Sequence, residues 1–84
     1  MANKKHPRSR LEQAGDVLLA LQSPPPINKS YLLRSANLDL KAVNRIIDLL
    51  LERGLMTDDF QLTERGNSVA ETYKKLQELM RGPK

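Results

Sequence analysis

The 84-residue sequence contains no cysteine and no tryptophan, and its aromatic residues are limited to two tyrosines and one phenylalanine. The absence of cysteine excludes a disulfide framework and a thiolate metal site, and the scarcity of aromatic residues predicts an aliphatic core. No apolar run approaches the ~20 residues that a membrane-spanning helix needs. The basic N-terminus has no apolar stretch behind it, so it is not a secretory signal. We therefore expect one small domain in a cytoplasmic protein with no membrane partner.

Residues suited to catalysis are also scarce. The single histidine, His6, lies near the N-terminus with no carboxylate placed near it in the sequence. A glycine-rich phosphate loop, a histidine pair for a metal and an activated nucleophile are all missing. Gly66 is interpreted as part of a helix entry rather than as a catalytic loop. We predict that the chain is not an enzyme and that it uses no cofactor or metal, and no small-molecule ligand is evident.

The net charge of +4 is unevenly distributed along the chain. No acidic residue occurs in residues 1–10, whose basic residues are Lys4, Lys5, Arg8 and Arg10. The other 10 Lys and Arg residues are matched by the 10 Asp and Glu residues, so the whole basic excess sits at the N-terminus. A basic excess favours an anionic partner. We predict that residues 1–8 form a flexible basic tail and residues 9–81 one folded domain.

Helix 1 is predicted to begin at Ser9. Ser9 and Glu12 match the capping box, in which the serine hydroxyl and the glutamate each satisfy a free backbone N–H. An apolar stripe at helical spacing follows, made of Leu11, Ala14, Val17, Leu18 and Leu21. The proline run at residues 24–26 ends the helix, because proline cannot donate to the helix ladder. Ile27 is then a candidate for a minimal strand.

Two more helices, separated by a tight turn, are predicted next. Helix 2 covers about residues 29–35, with Asn28 as its N-cap. Helix 3 covers about residues 39–53, and Asp39 caps its start. Gly54 sits just past its end, where a left-handed backbone is cheapest for glycine.

A short hairpin and a fourth helix are predicted after helix 3. Two strands of three residues, 55–57 and 60–62, flank Asp58-Asp59 and form a small wing. Thr63 then caps helix 4. A narrow apolar seam of coiled-coil width runs along helix 4 through Val69, Tyr73, Leu76 and Met80.

The resulting fold is mainly α with a small β-hairpin. Its predicted order is helix 1, a possible strand at Ile27, helices 2 and 3, two hairpin strands, and helix 4. That order describes a winged helix-turn-helix, which places one helix where a DNA major groove can receive it.

Three motifs support a family resemblance. They are Asn37-Leu38 before helix 3, Leu-Glu-Arg-Gly-Leu at residues 51–55, and Phe60 and Leu62 followed by Thr-Glu-Arg-Gly at residues 63–66. With these motifs the chain resembles the small archaeal winged helix-turn-helix regulators of the ArnR type, over about residues 11–80. The resemblance implies DNA binding, dimers paired through helix 4, and no cofactor.

The residues predicted to contact DNA lie on helices 2 and 3 and in the tail. Recognition helices generally read bases with their N-terminal half, which selects Lys41, Asn44 and Arg45 as base readers. Leu40 is a candidate for contact with a thymine methyl group. The candidates for phosphate or minor-groove contact are Lys29, Ser30 and Arg34 on helix 2, and Lys4, Lys5 and Arg8 in the tail. The acidic wing tip would instead repel phosphate.

We predict a nucleoid-associated transcriptional regulator that binds double-stranded DNA as a homodimer. Its dimer interface would be the helix 4 seam, although in a monomer the same seam would pack on helix 1. Two alternatives stay open. One is a protein–protein interaction module, which the neutral body and the acidic wing favour. The other is a non-specific, chromatin-like DNA-binding protein whose tail supplies most of the affinity.

Overall fold

The computed structural model describes residues 9–81, and four α-helices lie there in the predicted order. Their bounds are α1 Arg10–Ala20, α2 Lys29–Ala36, α3 Leu40–Glu52 and α4 Glu64–Arg81. α1 packs against each of the other three. None of these helices is long and apolar enough to cross a membrane. The basic tail predicted at residues 1–8 lies outside the described residues.

Side-chain caps fix where the helices begin. Ser9 and Glu12 form the capping box at the start of α1, with both hydrogen bonds present at 3.0 and 2.9 Å. Asn28, Asp39 and Thr63 each accept a hydrogen bond from the backbone N–H three residues later. A cap of this kind stabilises a helix by about 1 kcal/mol. The sequence therefore sets the start of each helix locally.

The core is aliphatic. The largest side chains that are almost completely buried come from α1, α2 and α3, and they are Val17, Leu32, Val43 and Leu50. Burying each of them stabilises the fold by roughly 1.5–3 kcal/mol. α4 adds Ala70, which is also fully buried. The core thus holds α2 and α3 on α1, with α4 closing one side.

A three-residue turn, residues 37–39, joins α2 to α3. Asn37 adopts a left-handed backbone conformation with φ of 55°, which asparagine tolerates better than most residues other than glycine. The N–H of Leu38 donates to Leu33 O at 3.0 Å, and Leu38 packs half-buried against the core. These contacts fix α3 relative to α2 as a helix-turn-helix.

The prediction of a small β-hairpin wing is wrong. Residues 9–81 contain no β-strand, and the pairing that remains there is one isolated antiparallel bridge between Met56 and Leu62. Ile27 does not form the predicted minimal strand either, and it packs partly buried against the core. The observed order is therefore α1-α2-α3-α4.

The length of the connection explains why no hairpin forms. Leu55, the first residue of the predicted hairpin, donates its N–H to Leu50 O at 2.8 Å and so helps to end α3. Thr63, directly after the predicted hairpin, caps α4. Between them, residues 57–61 close on themselves, with Phe60 in the left-handed region at φ 60°. One residue on each side of residues 57–61 is left to form the antiparallel pair, and these two are Met56 and Leu62. We call residues 57–61 the acidic turn.

Gly66 lies in the first turn of α4, directly against the backbone that leads out of α3. A Cβ atom built on Gly66 would lie 1.8 Å from Leu55 O and 2.8 Å from the carbonyl carbon of the same residue. Backbone atoms cannot relieve this overlap by a rotamer change as a side chain can, so only glycine fits this position. The Thr-Glu-Arg-Gly motif therefore has a packing role at the entry of α4.

Candidate nucleic-acid interface

α3 has a buried inner face and a charged outer face. The residues buried on its inner face are Ala42, Val43, Ile46, Ile47 and Leu50. On its outer face, Lys41 and Arg45 are exposed in the N-terminal half, and Asp48 and Glu52 are exposed further along. The helix thus presents a basic first half and an acidic second half to the surroundings.

Two of the three predicted base readers are exposed, and one of them is held by α1. Lys41 and Arg45 lie one turn apart on the outer face. Arg45 Nη2 donates a hydrogen bond to Gln13 Oε1 at 3.1 Å. Leu40, at the start of α3, is 52% exposed. The guanidinium of Arg45 is therefore supported by α1.

The third predicted base reader, Asn44, is only partly exposed. Its side-chain oxygen is buried and has no hydrogen-bond partner within residues 9–81. A buried acceptor without a partner costs about 1–3 kcal/mol. Pairing with adenine uses both the oxygen and the nitrogen of the amide, so Asn44 must turn outward to read a base. That rotation would also relieve the cost of the buried oxygen.

The remaining predicted DNA contacts divide into two sets. Lys29, Ser30 and Arg34 are exposed on α2. Lys4, Lys5 and Arg8 lie outside the described residues. The stretch from Asn28 to Arg45 holds four basic residues and one acidic residue, a local charge of +3.

The acidic turn carries the opposite charge. Asp58 and Asp59 are both exposed. Thr57 Oγ1 donates to Asp59 Oδ1, which holds this carboxylate within the turn. Carboxylates repel the DNA backbone, so contact between this turn and a phosphate would be repulsive.

Residues 7–81 match the family model described as Winged helix-turn-helix. The chain belongs to the winged helix-turn-helix family. This family indicates a DNA-binding domain and is typically not enzymatic. The narrower resemblance to archaeal ArnR-type regulators stays a prediction. No curated protein and no solved structure matches the chain.

The winged helix-turn-helix domain contains one residue at the candidate interface that the sequence analysis did not predict. Gln13 lies on α1, 32 positions before the arginine that it contacts. Nothing in the local pattern of α1 marks it, since a polar residue on an amphipathic helix is ordinary. In the described part of the domain, no group of three or more His, Asp or Glu residues is placed to hold a metal ion.

The predicted dimer seam on α4 is split by the fold. Tyr73 packs on α1, where its ring fills the space beside Gly15, and its hydroxyl lies 3.3 Å from both Glu12 O and Asp16 Oδ1. Burial, and then the negative charge of Asp16, raise the pKa of Tyr73 above its ordinary value. Tyr73 is thus part of the intramolecular contact between α1 and α4.

The other members of the seam face outward to different extents. Val69 is 39% exposed, Leu76 49% and Met80 79%. Leu11, predicted as a stripe residue of helix 1, is 73% exposed on the opposite side of a groove between α1 and α4. An exposed apolar surface of this kind marks an interaction site more often than isolated apolar residues do.

Proposed function

We propose that the protein is a transcriptional regulator that reads the DNA major groove with α3, acting as a homodimer at the nucleoid in the cytoplasm. One observation carries this proposal. A helix-turn-helix presents the basic first half of α3, with Lys41 and Arg45 exposed one turn apart and Arg45 supported by Gln13.

Each side chain has a role that follows from its chemistry. Lys41 and Arg45 would donate to O6 and N7 of guanine, and Asn44 would pair with adenine after turning outward. Leu40 would contact a thymine methyl group. The exposed residues of α2 would contact phosphates and fix the position of the domain on the duplex, and these are Lys29, Ser30 and Arg34. The tail residues Lys4, Lys5 and Arg8 would add further phosphate contacts.

The acidic residues restrict how the domain can approach DNA. Asp48 and Glu52 follow the basic half of α3 on the same exposed face, and phosphates repel them. The lowest-energy approach therefore inserts the N-terminus of α3 into the groove and lets its C-terminal half leave it. The acidic turn follows α3 in the chain, so this approach also turns it away from the phosphates.

This function is tested by selecting bound sequences from a random pool of DNA duplexes. The affinity of the protein for the selected duplex is then measured at two salt concentrations. We expect a defined sequence preference together with affinity that falls as salt rises, because phosphate contacts release counterions. Binding without any preference, lost when residues 1–8 are deleted, would instead indicate chromatin-like coating. No duplex binding at low salt would favour a protein-interaction module.

The homodimer would form through the seam of α4. Two recognition helices must sit about 34 Å apart to enter successive major grooves. In a two-fold symmetric dimer, both copies contribute the same surface to the interface. The exposure of Leu76 and Met80 supports this part of the proposal, since both lie beyond the contact that Tyr73 makes with α1.

Leu76→Asp should dissociate this dimer while leaving the monomer folded. Leu76 is 49% exposed, so the charge costs little in the monomer but would be buried against the second copy. We expect the molecular mass measured by light scattering to halve, and the melting temperature to change by only a few degrees.

Ser68→Asp is the matched control. It adds the same charge at an exposed position of α4 outside the seam, and it should leave the mass unchanged. A halved mass in both variants, or loss of the fold in Leu76→Asp alone, would contradict an interface on the seam.

A further inference from the structure

We propose that a cavity between α1, α3 and α4 binds a small apolar carboxylate. The cavity has a volume of about 220 Å³. Its walls are mainly aliphatic and include Leu11, Leu18, Leu49, Leu55, Val69 and Tyr73. Sequence patterns do not predict such a site, because its lining residues come from three helices and from the segment that follows α3.

The size of the cavity limits the ligand to one ring and a short arm. An apolar cavity of about 150 Å³ is enough to bind benzene. The additional volume accommodates an arm of two or three atoms. Filling the cavity would also cover apolar side chains at its mouth, since Leu49 and Val69 are 38% and 39% exposed, and removing apolar surface from water is favourable.

The charge of the lining selects the polar end of the ligand. Within residues 9–81, Arg53 is the single charged residue that lines the cavity, and no carboxylate of these residues lines it. A planar guanidinium matches the geometry of a carboxylate and forms paired hydrogen bonds with it. An anionic group on an apolar body therefore fits better than an amine or a neutral polar group.

The cavity is connected to the surface proposed to read DNA. α3 contributes Leu49 and Leu50 to the lining, and Arg53 is its C-cap residue. Lys41 and Arg45 lie in the first half of the same helix. A ligand that binds one orientation of α3 more tightly than another shifts the equilibrium towards it. Binding of the carboxylate does not depend on the proposed DNA-binding function, so each of the two proposals can be tested without the other.

The test uses the full chain, 3-phenylpropionate as the probe, and its neutral amide as the comparison. We expect the acid to raise the melting temperature in proportion to the logarithm of its concentration. By calorimetry, the acid should bind about tenfold more tightly than the amide. Arg53→Gln should remove this difference, whereas Arg34→Gln, which removes the same charge on α2, should leave it unchanged.

A second variant tests the location of the site. Leu49→Phe places a larger side chain at the mouth of the cavity, at a position that is 38% exposed and lies outside the seam of α4. It should abolish binding of 3-phenylpropionate without lowering the melting temperature. Wild-type binding in Leu49→Phe would overturn the proposal, as would equal affinity for the acid and the amide. Binding that appears only in Leu76→Asp would mean that a second copy of the chain fills the cavity, which also overturns it.

Discussion

Gly66→Ala should destabilise this protein more than the same change at Gly15 or Gly54. The new Cβ would overlap with the carbonyl group of Leu55, at 1.8 Å from its oxygen. Overpacking against a well-packed interior costs 1–3 kcal/mol or more, and a backbone neighbour puts this case at about 3 kcal/mol. Alanine favours a helix by ~1 kcal/mol over glycine, so the overlap must outweigh that gain. For a domain of this size, we expect the melting temperature to fall by roughly 15 °C.

Two other glycines serve as controls for this prediction. Gly54 has a left-handed backbone at φ 69° with open space around it, so Gly54→Ala tests backbone strain alone, at about 1 kcal/mol. A Cβ on Gly15 would lie 2.4 Å from the ring of Tyr73, which is a side chain that can shift. Gly15→Ala should therefore fall between the other two. Thermal melts of the three variants that rank Gly66→Ala as the mildest would show that the close approach is wrong.

Replacing Lys41, Asn44 and Arg45 together by alanine should abolish selective DNA binding without unfolding the domain. A good bidentate contact with a base discriminates by about 1–3 kcal/mol, so the loss of three readers should weaken binding to the selected duplex at least 100-fold, roughly. Lys41 and Arg45 are exposed, and Asn44 carries a buried oxygen without a partner. The melting temperature should therefore stay close to that of the wild type.

The matched control is Lys74→Ala with Lys75→Ala. This double variant removes the same number of positive charges, two, from exposed positions on α4. Fluorescence anisotropy measures binding to the selected duplex and to an unrelated duplex at the same salt concentration. The comparison separates base recognition from electrostatic attraction to the phosphates. If the control lowers affinity as much as the triple variant does, α3 is not the reading helix.

The helices and their caps were predictable because their causes are local. Ser9, Asn28, Asp39 and Thr63 each accept a hydrogen bond from a backbone N–H three residues later. A contact over three residues can be recognised in the sequence itself. The buried face of α3 follows in the same way from the spacing of its apolar residues.

The hairpin was wrongly predicted because its failure depends on contacts at both ends of the segment. The alternation of residues 55–62 is typical of two short strands. Their ends, however, are engaged by the termination of α3 and the cap of α4. The close packing of Leu55 against Gly66 fixes the segment further. A local pattern contains no information on these competing contacts.

The candidate interface was predicted in part. The sequence predicted that Lys41 and Arg45 lie on the outer face of α3, which the helical period alone decides. It could not indicate that Asn44 is partly buried, because that depends on the neighbours of α3. It also could not indicate the bond from Gln13, which joins two helices far apart in the chain.

The sequence by itself determined four helices, their starting points, a basic first half on α3 and membership of the winged helix-turn-helix family. Only the tertiary structure decided that the wing is reduced to a turn, that Tyr73 packs over Gly15, and that a cavity opens beside Arg53. The physical reason is the range of the interactions. Caps and periodicity act over three or four residues, whereas these three features depend on surfaces that meet only after the helices have packed.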